Sequence, residues 1–488
     1  AATLTKDGAV IASFAERKAE IARQLAAAAA KIGGGCKPIE DDALLDEVTA
    51  LVERPNVLIC AFEKQFLDVP QECLILTMKA NQKYFPLLDA QDKLTHQFLV
   101  VSNISPDDPS AVIGGNERVV RPRLADAKFF FDQDRKKTLE SRVEGLGKVV
   151  YHNKLGTQGE RMERVRAIAR AIGQQLGGDV LAKSADTASQ LAKTDLLTDM
   201  VGEFPELQGI MGGYYARHDG LSEDIAFAIE DHYKPRFAGD ELPRNMTGVV
   251  VALADKLETL VGMFGIGNLP TGDKDPFALR RHALGVVRML IEGGLQLHFY
   301  ELTRQAFAAF PAGLLHDKSV ELDEFLIERL KGYLRETGFS GPEVDAAIYA
   351  RRLGHWSSIP QRLAAVRAFA ALPEAPALAA ANKRIGNILK KSEGEGAEVN
   401  AALFVEPAEK ELHAAMQITV PAANAKFEAG DYTASLQALA ALRTPVDAFF
   451  DGVMVNAEDA ALKANRLGLL KSLHEAMNRV ADLSRLAQ

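Results

Sequence analysis

The spacing of apolar residues in the last hundred positions constrains the fold of this chain more than any other feature. Val446, Phe449, Phe450 and Val453 recur at i, i+3, i+4 and i+7, which is one face of an α-helix. Thr444 is suited to cap that helix, and Pro445 fits its first turn, where no amide partner is needed. Leu462, Leu469, Leu470, Leu473, Met477 and Val480 form a second apolar stripe. No period-two run interrupts the pattern after Ala401, so residues 396–488 are predicted to form an all-helical domain. Core packing accounts for the apolar residues and leaves Asp447, Asp451, Asn465 and Arg466 without a core role. Asn465 and Arg466 can hydrogen-bond the edges of splayed RNA bases, with Asp451 orienting them. Alternatively, Arg466 pairs with Asp451 or Asp447 and braces the helices.

Residues 1–140 read differently. Val10, Ile11, Phe14, Ile21 and Leu25 mark a helix that ends near Gly33, Gly34 and Gly35, and a second covers Asp42 to Val52. Residues 57–61, 73–77 and 98–101 are short β-type runs, so this part is predicted to be α+β. Gln82, Lys83 and Tyr84 follow the second run. They either face a phosphate backbone or simply end an exposed strand. Arg118, Arg121, Arg123, Lys128, Arg135, Lys136 and Lys137 make one of the densest basic stretches, with phenylalanines between them. Such a stretch suits RNA-backbone contact, because phosphates dominate affinity and position the ligand. The plainer alternative is a helix entered at Pro122, with Phe131 in the core and a solvated basic face. There is no GxGxxG and no GKS or GKT loop to cradle phosphates.

Residues 141–300 carry helical periodicity. Arg161 to Leu176 is amphipathic and closed by Gly177 and Gly178, and Asp275 is suited to cap a helix opened by Pro276. The order of polar residues resembles the HD superfamily of metal-dependent phosphohydrolases. His152 would supply the first ligand, Asp255 the last, and His232 one more. At the central doublet Thr194 stands before Asp195 where a histidine belongs, so this degenerate set is expected to hold no metal. Residues 301–395 read as a helical body containing the only tryptophan, Trp356. Within it, Ile385, Ile388 and Leu389 fall on a core face, while Lys383, Arg384, Lys390 and Lys391 fall outside it. The turn-rich residues 392–397 read as a domain boundary.

A net charge of -9 excludes a chain coated with basic surface, but not one with a local basic patch. Cys36, Cys60 and Cys73 have no CxxC spacing, which suits a reducing cytosol. No apolar run approaches the roughly 18 residues of a membrane span, and no signal peptide is visible. A cytoplasmic protein is expected.

Several long stretches carry a resemblance. PVDxFFDxVMV from Pro445, DxxLKxNRLxLL from Asp459, and residues 480–483 resemble the C-terminal end of the bacterial glycyl-tRNA synthetase β subunit. VVRPRLADAKFFFDxDRK from Val119, the segment 77–85 and the segment 270–281 resemble the same family in the same order. The resemblance implies a mainly α, multidomain protein: an α+β portion, an HD-like helical domain, a helical linker, and an anticodon-binding domain related to that of arginyl- and cysteinyl-type synthetases. It implies an α2β2 assembly in which a separate α subunit makes glycyl-adenylate from glycine and ATP with Mg, no cofactor being held in this chain. The β chain would bind and position tRNA-Gly, including its anticodon. Candidate tRNA-binding residues are Arg466, Asn465, Lys383, Arg384, Lys390, Arg118, Arg121, Arg123 and Lys83, and no catalytic residue is expected here. The family also carries a further N-terminal region, so trimming is expected ahead of Ala1. Two rivals remain: an HD-type phosphohydrolase, and an RNA-binding protein with no synthetase partner.

Overall fold

The computed structural model describes residues 2–8, 10–351, 353–392 and 396–487. Residues 393–395 of the boundary expected at 392–397 therefore lie outside the described residues. The chain is mainly α and divides into two compact units that interleave along the sequence. One comprises Ala1–Val150, Thr157–Gly159 and Gln190–Glu230; the other comprises Tyr151–Gly156, Glu160–Ser189 and Asp231–Gln488.

The first unit holds an antiparallel sheet of β1 (Lys37–Pro38), β2 (Asn56–Ala61), β3 (Phe85–Leu88) and β4 (Leu94–Ser102), in the order β1-β3-β4-β2. Helices α1 (Phe14–Ile32) and α2 (Asp42–Leu51) cover one face, where Ile21, Leu25, Val48, Phe85 and Leu99 form a core. Phe98, one residue from Leu99, points to the other face and packs 4.9 Å from the Tyr84 ring. The β-type run expected at 73–77 is instead part of α3 (Gln71–Gln82), which buries Cys73, Leu74, Thr77 and Met78 at helical spacing. A short apolar run carries too little periodicity to separate strand from helix. Lys83 accordingly caps a helix with φ 55°, rather than ending a strand. Helix α4 (Ser110–Asp134) runs straight through Pro122 and does not begin there. Its buried residues Val120, Leu124, Ala127 and Phe131 hold it, while Pro122 lies on the exposed side. The last residue, Asp134, accepts hydrogen bonds from the Asp199 and Met200 amides (2.8 and 3.0 Å) and from the Tyr215 hydroxyl (2.6 Å).

In the same unit Asp195 is wholly buried, and one carboxylate oxygen accepts from the Gly209 and Gly212 amides at 2.6 and 3.0 Å. Burial outweighs those N–H contacts and lifts its carboxyl to about 6.

In the second unit, α5 (Met246–Gly265) is buried along nearly its whole length. The helix Gln158–Leu191 breaks at Gly177 and Gly178, as expected. The helix after Pro276 opens at Leu279, later than expected, with Asp275 accepting from the Leu279 and Arg280 amides at 2.8 and 2.9 Å.

The C-terminal part of this unit contains α6 (Gly341–Ile348), α7 (Ala375–Lys391), α8 (Pro407–Glu428), α9 (Arg443–Gly452) and α10 (Ala460–Met477). Val446, Phe449, Leu470, Leu473 and Met477 lie in its core, as the apolar spacing predicts, and Leu412 and Leu436 join them. Thr444 does not cap α9, because that helix already begins at Arg443.

Glu409 lies in the first turn of α8 and is fully buried. It accepts from the Arg466 guanidinium at 2.8 Å and from the Val405 and Glu406 amides at 2.9 and 2.8 Å. Arg466 also donates to the Met454 carbonyl at 2.7 Å. The expected partners Asp447 and Asp451 are not used, since Glu409 is the carboxylate inside the bundle. Asn465 accepts from the Asn400 amide at 2.7 Å and donates to its carbonyl at 3.1 Å. At Gly468 an added Cβ would sit 1.9 Å from the Ala397 carbonyl oxygen, so only glycine lets that segment cross α10.

Breaking a buried ion pair from one side leaves an uncompensated charge, so Arg466→Ala is expected to destabilise the chain by about 3–5 kcal/mol. A denaturant titration checks it, and a loss under 1 kcal/mol contradicts the packing role. For Asp195 the folded state keeps a proton that the unfolded chain releases near pH 4. Its contribution is full below about pH 4 and is lost as pH rises through about 6. Stability curves of Asp195→Asn and the parent should therefore diverge across that window, the variant lacking the loss. Parallel curves would show that Asp195 titrates normally.

Candidate nucleic-acid interface

The basic residues singled out in the sequence divide between the two units. In the first unit, Lys83 pairs with Glu47 at 2.9 Å and Arg121 with Glu63 at 2.5 Å. Lys128 and Arg135 both reach Asp132. Arg118 and Arg123 remain exposed on α4 with no ion pair to a described residue. In the second unit, Asn465 and Arg466 are 1% and 6% exposed. The expectation that they read RNA bases is corrected accordingly: both side chains are turned inward.

Helix α7 is different. Lys383, Asn387 and Lys390 follow one another at i, i+4 and i+7 and are all exposed. Arg384 and Lys391 form a neighbouring stripe, and the Arg384 guanidinium lies 4.3 Å over the Phe450 ring. The opposite face buries Leu378, Asn382 and Ile385. Asn382 and Asn478 exchange amide hydrogen bonds at 2.8 and 2.9 Å, which ties α7 to the end of α10. The segment after α10 is fixed in turn: the Asn478 carbonyl accepts from the Arg351 amide, and the Asp482 amide donates to the Ala346 carbonyl, at 3.0 and 2.8 Å.

These ties leave a cavity of about 800 Å³ between α7, α10 and the segments around residues 350 and 482–485. Lys383 and Lys390 line it from α7, Lys471 and His474 from α10, and Arg351 and Arg485 from the segments. Arg351 pairs with Glu475 at 2.9 Å and Arg485 with Asp482 at 3.3 Å. Lys383, Lys390 and Lys471 have no ion pair among the described residues. Burial pushes the His474 imidazole below its usual range, and the Asp482 carboxylate only partly opposes this, so the neutral form is favoured. The result is a hollow bordered by three ammonium groups that have no ion pair among the described residues. Such groups attract phosphate oxygens as point charges. Lys471, Arg351 and Arg485 were not found from the sequence. Lys471 sits in an apolar run that reads as core, and the other two become neighbours only through the tertiary fold.

The HD-like positions divide between the units: Asp195 belongs to the first, and His152, His232 and Asp255 to the second. His152 packs edge-on against Phe277, and buried His232 lies 4.0 Å from the Tyr233 ring. Asp255 meets the Arg161 guanidinium at 2.8 Å, and Glu258 meets Arg161 and Arg164 at 2.8 and 3.0 Å. A guanidinium thus already supplies the positive charge beside Asp255. Among the described residues no three His, Cys, Asp or Glu side chains gather as a metal set. No single helix among them is long and apolar enough to cross a membrane.

Comparison with known proteins agrees with this architecture. Residues 1–349 match the family model described as glycyl-tRNA synthetase beta subunit, and residues 378–483 match the DALR anticodon binding domain. The second match contains most of α7 and all of α10. The glycine–tRNA ligase beta subunit of Delftia acidovorans is 74% identical over 488 residues, covering 100% of this chain and 69% of its own length. That of Polaromonas naphthalenivorans is 74% identical over 489 residues, covering 100% of this chain and 68% of its own. That of Thiobacillus denitrificans is 70% identical over 485 residues, covering 99% and 69%. With a family model matching most of its length and relatives this similar, the chain belongs to the glycyl-tRNA synthetase beta-subunit family and carries a DALR anticodon-binding domain.

Proposed function

We propose that the chain is the tRNA-holding subunit of a glycine–tRNA ligase and acts in the cytoplasm. It binds tRNA-Gly, including its anticodon, and brings the 3′ end to glycyl-adenylate formed on a separate α subunit from glycine and ATP with Mg. The assembly is an α2β2 tetramer. The contribution of this chain is proximity and orientation: it places one reactant against the other. One observation supports this above the others. Lysines of α7 and α10 that have no ion pair among the described residues border a cavity in the region that matches an anticodon-binding domain.

The phosphohydrolase alternative has less to support it. Thr194 occupies the histidine position of its central doublet, and Asp255 is committed to Arg161.

Two measurements test the proposal. Replacing the anticodon of tRNA-Gly should weaken binding by more than about 1 kcal/mol per altered base contact, as direct readout does. Equal binding of both tRNAs with a steep salt dependence would mean that only the backbone is gripped. In the α–β assembly, Lys383→Glu with Lys390→Glu should raise KM for tRNA roughly tenfold through lost phosphate contacts. ATP- and glycine-dependent adenylate formation should be unchanged. An equal loss in both steps would contradict a role confined to tRNA.

A further inference from the structure

We infer that the cavity between α7, α10 and the C-terminal segment seats one unstacked nucleotide of the bound RNA, with its phosphates on Lys383, Lys390 and Lys471 and its base on the Arg485 guanidinium. This assignment rests on the tRNA-binding function proposed above and deepens it.

The volume of about 800 Å³ falls in the range of small-molecule sites, roughly 300–1,000 Å³, and accommodates a base with its sugar and phosphate. One wall is a prepared stacking surface. The Arg485 guanidinium carbon lies 4.2 Å over the Tyr349 ring, and its Nε is held by Asp482 at 3.3 Å. The inner face of the guanidinium is therefore occupied, and the outer face is available. Planar guanidinium groups stack on bases as aromatic rings do. Exposed Asn387 lies between Lys383 and Lys390 on α7 and offers an amide donor and acceptor to a base edge. Asn478 is not such a reader, because Asn382, Leu483 and His474 already take its amide.

The charges favour phosphate over carboxylate. An acidic peptide is best met by bidentate arginine, but Arg351 and Arg485 are already paired to Glu475 and Asp482. The groups left over are ammoniums, which suit phosphate oxygens arriving from several directions. A free nucleoside polyphosphate shares this chemistry, so the test separates it from RNA.

The experiment measures binding of the full chain to tRNA-Gly, to a single-stranded RNA heptamer, to ATP and to tripolyphosphate. It compares the parent with Arg485→Ala, Lys471→Ala and Arg384→Ala, the last lying outside this cavity. The Arg485 and Lys471 side chains are exposed, so these variants keep the fold. Arg485→Ala is expected to weaken both RNAs roughly tenfold, the size of one stacking contact, and to leave tripolyphosphate unchanged. Lys471→Ala should weaken RNA and tripolyphosphate alike and lower the salt slope by about one. The seat is overturned, with the tRNA function intact, if both variants bind RNA like the parent while Arg384→Ala does not. It is also overturned if ATP binds in a Lys471-dependent way and RNA fails to displace it, or if a polyglutamate peptide binds there more tightly than RNA. No binding of tRNA-Gly by the parent would instead refute the proposed function itself.

Discussion

One carboxylate organises the C-terminal helices. Burial alone would push the Glu409 carboxyl up, but Arg466 and the amides of Glu406 and Val405 hold it below its usual range. It is therefore a charged group kept inside the bundle by complete hydrogen bonding, the condition under which such burial is tolerated. Through it the start of α8 is fixed to the middle of α10, and Arg466 adds the Met454 carbonyl after α9. Neighbouring Asn465 holds Asn400 in the same way. These contacts position α10, and α10 in turn presents Lys471 and His474 to the cavity. The asparagine pair Asn382–Asn478 does the same for α7. The candidate interface is thus built on helices held by buried polar groups that pair with one another.

Arginine and lysine divide the work. Arg161, Arg164, Arg362 and Arg466 are nearly inaccessible. Each directs a planar fork of donors at internal acceptors, as when Arg362 donates to the Arg479 and Val480 carbonyls just beyond α10, at 2.9 and 2.7 Å. Lys383, Lys390, Lys391 and Lys471 stay at the surface without carboxylate partners among the described residues. A chain with net charge -9 can therefore present a positive surface, because carboxylates elsewhere are matched locally.

Much of the fold was legible in the sequence wherever periodicity was long. The stripe from Val446 to Val480 is core except for Leu462 and the half-buried Phe450, the break at Gly177 and Gly178 is real, and Phe131 faces inward. Short signals failed. Residues 73–77 are helical, and Pro122 lies inside α4 because buried neighbours outweigh one missing hydrogen bond. The candidate interface was half legible. Lys383 and Lys390 stand out at i and i+7 on the face of α7 away from its apolar residues. Arg466 and Asn465 stand out equally, yet they serve the interior, since a sequence does not reveal that Glu409 lies opposite. A polar residue left over by core packing has two uses, buried brace or surface contact, and only its partner distinguishes them.

The central claim is that tRNA phosphates rest on the lysines of α7 and α10. Quantitative lysine acetylation of the α–β assembly, with and without saturating tRNA-Gly, tests it most directly. Lys383, Lys390 and Lys471 should be protected by tRNA, while exposed Lys31 at the end of α1 keeps its reactivity. Unchanged acetylation of all three lysines while tRNA is demonstrably bound would contradict the account and place the RNA on another surface.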